Sequence, residues 1–341
     1  MRTEIRALSC ILTLLDDQET LEVGLLLIST LCHDCDAALE FGLKGLHQRL
    51  MKLSRTCHGD FLDLVYDTIQ AAADGLPPGH YFPMEQELEG HAPPPPHTFH
   101  IHNVRLKIRC DTSLRLHSQG DVGRLLWPAA LVMARWIIRT FPNWLPGQKP
   151  LAPCNLLELG AGVGLTGLAA AHLVSHVTLS DWDPIVLANL RYNAALVIDQ
   201  TKLPEGLKEE CSVLPQEHRV VVSHLDWNLL RNDGMKYNVI IGSDIVCSEN
   251  DGRAVAKVIA SLLEQTGVAY IVLPPSWVRW GVEVFVSSAQ DFGLKDTVQK
   301  VDITDISADE SPDKDDEEED IAIGGGYEKM LEIHKLSWKS L

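Results

Sequence analysis

The sequence predicts an α/β fold: a doubly wound sheet ending in an antiparallel hairpin, with an α-helical segment ahead of it. Three observations predict it. From Pro153 onward, short apolar runs alternate with stretches of helical period, the pattern of strand and helix in turn. The first run leads straight into three glycines on alternate positions, "ELGAGVG" at 158–164. The last two runs, "FGLKDTVQKVDI" and "YEKMLEIHKLSW", have no helix between them, only an acidic loop and "GGGY".

Taken in order, residues 1–80 read as helical. "ETLEVGLLLISTLCHDCDAALEFGLKGLHQRLMKL" and "DFLDLVYDTIQAAADG" place apolar side chains at three- and four-residue steps. The segment loosely resembles armadillo-type helical repeats over about two repeats, where about three are needed to stand alone. It is expected either to dock a partner or to cap the rest of the chain. Residues 81–96 are a linker, because four consecutive prolines at 93–96 suit neither a helix nor a central strand. Residues 97–110 alternate as a strand pair, and "LLWPAALVMARWIIRTF" (125–141) is an apolar helix. The domain from 97 to 341 then has strands at 155–159, 176–180, 219–223, 238–242 and 268–273. Its helices are 165–173, 184–196, 250–265 and 277–290, and the hairpin closes one edge.

Bulk properties narrow the function. The 341 residues are 45% hydrophobic, as a packed globular chain requires. The net charge of −18 is local, since "ADESPDKDDEEED" (308–320) carries nine acids against one lysine. The remaining body is mildly acidic, without the basic footprint that nucleic acid demands. Eight cysteines are scattered, neither a disulfide framework nor paired CxxC motifs, which fits a reducing compartment. The N-terminus does not read as a signal peptide, and no uninterrupted apolar run reaches the roughly 18 residues of a membrane helix. A monomer in the cytoplasm, or also in the nucleus, away from membranes and nucleic acid, is expected. "CHDC" (32–35) and "CH" (57–58) could make a zinc site on paper, but both sit in apolar helical patterns, so no metal is expected. His100 and His102 read as an ordinary surface strand.

A glycine-rich loop after the first strand of such a sheet is a ligand site, because backbone can approach the ligand closely. Gly162, Gly164 and Gly167 match the GxGxxG of dinucleotide sites literally, so spacing alone leaves two ligand classes open. Strand placement and charge favour the other class. The apolar run ends at Leu159, making the loop Gly160-x-Gly162-x-Gly164. Glu158 beside it would repel a pyrophosphate, whereas S-adenosylmethionine, with an ammonium, a sulfonium and no phosphate, would tolerate the acid. Asp181 ends the second strand, 21 residues after Gly160, where an acid can bond both ribose hydroxyls. Asp183, ahead of Pro184, is the better helix cap, which leaves Asp181 to the ligand.

"LLELGAGVGLTGLAAA", "VTLSDWDPIVLANLRYNAAL", "VVSHLDWN" and "YNVIIGSDIVC" together resemble the Rossmann-like, seven-strand class I S-adenosylmethionine-dependent methyltransferases. Within them the chain is most similar to the small protein-lysine methyltransferases (methyltransferase family 16). These precede the glycine loop with a G…W-P-A-A element, present here as Gly123 and "WPAA" at 127–130. The resemblance covers about 97–341. It implies that Trp127 packs near the methionine end of the cofactor and that Gly160, Ala161 and Gly162 line it through backbone. It also implies that Asp181 takes the ribose, that Trp227 lies on the adenine with Asp226 near its amino group, and that Ser243 gives a backbone contact. Glu158, Gly164 and Trp182 complete the candidate set.

In the family the fourth strand ends in Asp-x-x-Tyr, the acid orienting the target amine and the tyrosine walling its channel. Here "SDIVCS" keeps Asp244 and puts Cys247 in place of the aromatic. Three readings follow. Trp277 or Trp280 of "LPPSWVRWGVEVF" fills in; the acceptor is another nucleophile, such as histidine; or the site binds cofactor without turnover. "LPPSW" is similar to the proline pair of adenine-N6 methyltransferases, but it follows the fifth strand rather than the fourth. The expected function is S-adenosylmethionine-dependent methylation of a protein, on a lysine, with Asp244 as the catalytic residue. A non-catalytic cofactor-binding scaffold and a small-molecule or histidine methyltransferase are the alternatives. The acidic loop, 305–323, reads first as an unstructured solvated insertion and second as an attractor of a basic substrate.

Overall fold

The computed structural model describes residues 18–32, 34, scattered positions from 37 to 72, 96–110, 123–140, 154–198, 218–229, 234–301 and 330–339. The chain divides into two compact units, Met1–Pro95 and Pro96–Leu341. In the first, helix α1 (Gln18–Leu31) buries Leu25 and Ile28, and the described positions from 37 to 72 are all helical. Phe41, Leu46, Leu50 and Val65 are buried among them. Thr68 donates its hydroxyl to the Leu64 carbonyl at 2.8 Å and to the Leu25 carbonyl at 3.4 Å, a tie between stretches distant in sequence. Residues 81–95 of the linker, Cys35, Cys57 and the acidic loop 305–323 lie outside the described residues. No described helix is long and apolar enough to cross a membrane.

The second unit opens with strands β1 (His97–Ile101) and β2 (Val104–Ile108), an antiparallel pair turning at His102, whose φ is +54°. Helix α2 (Pro128–Thr140) follows, then β3 (Asn155–Leu159), α3 (Leu165–Ala170), β4 (His176–Asp181), α4 (Pro184–Ile198) and β5 (Arg219–His224). The chain continues through β6 (Tyr237–Ser243), α5 (Glu249–Leu262), β7 (Leu263–Leu273), α6 (Val282–Asp291), β8 (Leu294–Lys300) and β9 (Glu332–Trp338).

Seven strands form one sheet in the order β5-β4-β3-β6-β7-β9-β8. All run parallel except β9, which is antiparallel to both its neighbours. The central strands read as unbroken apolar runs because both faces are covered. Leu156, Val239, Ile241, Tyr270 and Val272 pack with α2, α3 and α4, while Leu157, Ile240, Ala269 and Ile271 pack with α5 and α6. The order reverses between β3 and β6, so the loop leaving β3 stands at the switch point where such sheets bind ligands.

One of two expectations needed adjustment. The helix expected over 277–290 begins only at Val282, because Gly281, with φ +90°, ends a separate turn. The antiparallel hairpin expected at one edge is present, with β9 against β7 and β8 outermost on that side.

Candidate functional site

The loop from β3 to α3 is built on left-handed glycines, with φ +57° at Gly160, +54° at Gly162 and +85° at Gly164. At Gly162 the conformation disfavours side chains, and the space is tight: a Cβ would lie 3.1 Å from the Gly123 carbonyl oxygen. The G…W-P-A-A element therefore folds directly onto the glycine loop. Ala130 continues this contact by accepting the Thr166 hydroxyl at 3.2 Å. Trp127 is half-buried, and its carbonyl accepts the Ala130 N–H at 3.0 Å. The Ala161 N–H donates to the Ser180 carbonyl at 2.8 Å, fastening the loop to β4.

Asp181 sits where β4 ends. Its Oδ2 accepts the Gly162 N–H at 3.0 Å, and its Oδ1 accepts the N–H groups of Trp182 at 2.8 Å and Asp183 at 3.2 Å. Burial pushes its pKa up against the pull of those three donors. A carboxylate has about four acceptor positions, so a place remains on Oδ2 for a hydroxyl donor. Asp183 accepts the Val186 N–H at 3.5 Å, the capping role expected of it. Trp182 is 49% exposed. Beyond β5, Asp226 accepts the backbone N–H of Asn228 at 2.8 Å. Trp227 leans against Gly160, where a Cβ would meet its ring at 3.2 Å and Ile245 at 2.9 Å. The Ser243 hydroxyl lies 3.5 Å from that of Thr166.

Glu158 has a different place from the one expected. It is 2% exposed and turned under the loop, where its Oε2 accepts the Gly167 N–H at 2.9 Å. The cap position of helix α3 is Gly164, which has no side chain to serve, so a carboxyl from β3 supplies the missing acceptor. Burial pushes its pKa to about 8, the Gly167 and Thr166 donors opposing and Asp181 adding to the rise. The acid is thus a remote helix cap rather than a charge facing the ligand.

The sequence missed Asn189 and Asn193, one turn apart on α4. Asn193 accepts the Arg109 N–H at 2.8 Å and donates to the carbonyls of Val163 at 2.8 Å and Arg109 at 3.1 Å. Asn189 accepts from Arg109 Nε at 2.6 Å, and the guanidinium stacks over Tyr192 at 4.1 Å. Together they clamp the glycine loop to the end of β2. The only hint in the sequence is two asparagines at helical spacing.

Asp244 follows β6 with φ +55°, unusual for a residue with a side chain. Its side chain is 2% exposed, and its Oδ2 receives Nη2 of Arg279 at 2.8 Å. Nη1 of Arg279 lies 3.9 Å from Cys247 Sγ. The group that reaches Cys247 is therefore a guanidinium, while Trp277 and Trp280 stand 74% and 75% exposed. Desolvation pushes the Cys247 thiol up, Arg279 opposing and Asp244 and Asp251 reinforcing. It is a protonated thiol, not a poised nucleophile.

The arrangement fits S-adenosylmethionine. A cradle of left-handed glycines admits close backbone contact, Asp181 can accept from a ribose, and Trp227 offers an aromatic surface. No lysine or arginine lies among the loop residues to meet a phosphate. Among the described residues no group of three or more His, Cys, Asp or Glu side chains is placed to hold a metal ion.

A family model described as lysine methyltransferase matches residues 107–278, half of the chain. The chain is 28% identical over 169 residues to the protein N-terminal and lysine N-methyltransferase EFM7 of Candida glabrata, covering 48% of this chain and 60% of that protein. It is 27% identical over 173 residues to the protein N-lysine methyltransferase METTL21A of Mus musculus, covering 50% and 67%. The chain thus spans about three-fifths to two-thirds of these relatives' own lengths. Among solved structures it is similar to a TehB-like SAM-dependent methyltransferase from Corynebacterium glutamicum, at 14% identity and a TM-score of 0.39, covering 64% of this chain and 91% of that one.

Proposed function

The chain belongs to the lysine methyltransferase family, and from that premise we propose that it is an S-adenosyl-L-methionine-dependent protein methyltransferase whose acceptor is a lysine side chain. The observation that carries the acceptor reading is Asp244. A nearly inaccessible carboxylate stands one residue from Ile245, which packs at Gly160 of the cofactor loop, and it is already engaged with a cation. Such a carboxylate suits an ammonium better than a neutral acceptor.

When bound, the cofactor supplies an electrophilic methyl group on a sulfonium. Gly160 and Gly162 let the backbone lie close along it, Asp181 accepts from its ribose, and Trp227 covers its base. Asp244 receives the lysine nitrogen and fixes its direction. That nitrogen must release its proton to water before its lone pair can attack, and Asp244 then balances the positive charge that develops on it. Catalysis comes mainly from holding the two reactants in line. The exposed indoles of Trp277 and Trp280 favour a protein acceptor over a small molecule enclosed in a pocket.

The test is transfer of radiolabelled methyl into proteins of a cell lysate. Asp244→Asn is expected to lower transfer about a hundredfold while calorimetry finds cofactor affinity intact. Full transfer by this variant would remove Asp244 from the mechanism, and label appearing on histidine would replace the acceptor.

A further inference from the structure

The turn between β7 and α6 carries Trp277, Arg279 and Trp280 within four residues, and the mechanism above gives none of them a step in methyl transfer. The two indoles, with Glu249 and Glu283, line an open cleft of about 370 Å³. Arg279, between them, turns inward onto Asp244 and is 24% exposed. Its backbone is fixed from both sides. The N–H groups of Val278 and Arg279 donate to the Pro275 carbonyl at 2.8 and 3.0 Å. Gly281 is packed so closely on the Ser248 carbonyl that no side chain could stand there. The turn is braced by these backbone contacts, and Arg279 reaches Asp244 through its side chain.

A buried carboxylate does not release its cation without a replacement. Withdrawing the guanidinium alone takes the paired cation from a carboxylate held out of water, whereas exchanging it for another cation conserves the pairing. A hydroxyl or carboxamide cannot make that exchange. We propose that Arg279 is the resident counter-ion of the acceptor site, and that the substrate ammonium enters by displacing it from Asp244. Arg279 is then a specificity-determining residue: it admits cationic acceptors and turns away neutral ones. Once displaced, the guanidinium moves into the neighbouring cleft, where indole faces and the Glu283 carboxylate receive it. The proposal rests on the reading of Asp244 as the acceptor's carboxylate.

The test uses n-butylammonium as a stand-in for the lysine side chain, titrated into the full chain and followed by NMR. Arg279→Gln is expected to bind it at least about tenfold more tightly than the wild type. Arg279→Lys, which keeps a resident cation, should stay near the wild type. The gain should vanish in Arg279→Gln/Asp244→Asn, and n-butanol should show none. Cofactor affinity, measured beside each titration, establishes that every variant is folded. Should Arg279→Gln fail to fold, Arg279→Met in its place, of similar length and uncharged, carries the same expectation. Equal binding by the wild type and the neutral variant would overturn the proposal, as would a gain that survives loss of Asp244. The two readings fail separately. A failed titration removes Arg279 and leaves the mechanism standing, whereas undiminished methyl transfer by Asp244→Asn removes the mechanism itself.

Discussion

At the scale of single residues, Glu158 combines a structural duty with an unusual titration. Its carboxyl caps α3 from a neighbouring strand, and burial holds its pKa at about 8 against an ordinary 4.5. Between those two values the folded chain keeps a proton that the unfolded chain releases, so this group's contribution to stability falls as pH rises from 4.5 to 8. Glu158→Gln keeps an acceptor for Gly167 and has no proton to lose. Its melting temperature, relative to the wild type, is expected to rise between pH 5 and pH 8.5. Parallel melting curves across that range would reject the assignment. The acid beside the glycines was legible in the sequence, but its role was not. The N–H it meets lies nine residues on, across a strand-to-helix crossing that no local pattern encodes. Asp181 was legible because a strand end and a fixed spacing located it. Arg279 was not, since its partner Asp244 is 35 residues away.

At the scale of elements, α4 does more than cover the sheet. Through Asn189 and Asn193 it joins the β1–β2 pair to the glycine loop. In Asn193→Ala, the Arg109 carbonyl keeps Asn189, but the buried Arg109 N–H and the Val163 carbonyl lose this partner. The expected cost is about 2–3 kcal/mol, read as a lower urea midpoint at unchanged slope, together with weaker cofactor binding because Val163 lies in the loop. An unchanged midpoint would mean that water replaces the amide. The helix itself was legible from the alternation of strand and helix. Its clamp was hidden because the partners stand 84 and 30 residues away. Helix α6 shows the opposite error: its period extended backward into 277–281, and only the backbone at Gly281 ends the preceding turn.

At the scale of the whole molecule, the alternation of strand and helix was legible because buried parallel strands are continuous apolar runs. The antiparallel hairpin at one edge was legible too, but not which of its two strands lies outermost. The family match, residues 107–278, stops before β8 and β9. The place of β9 between β7 and β8 has a consequence in time. β8 comes off the ribosome before β9, yet among the described residues its sole neighbour in the sheet is β9. However early its residues are made, β8 can make its ladder hydrogen bonds only once β9 is available to pair with it. Pulse-labelling hydrogen exchange during refolding should find the β8 amides protected no sooner than those of β9. Earlier protection would require a transient partner that the finished sheet does not contain. At that edge the order of the sheet runs against the order of the chain, and its outermost strand is not its last-made one.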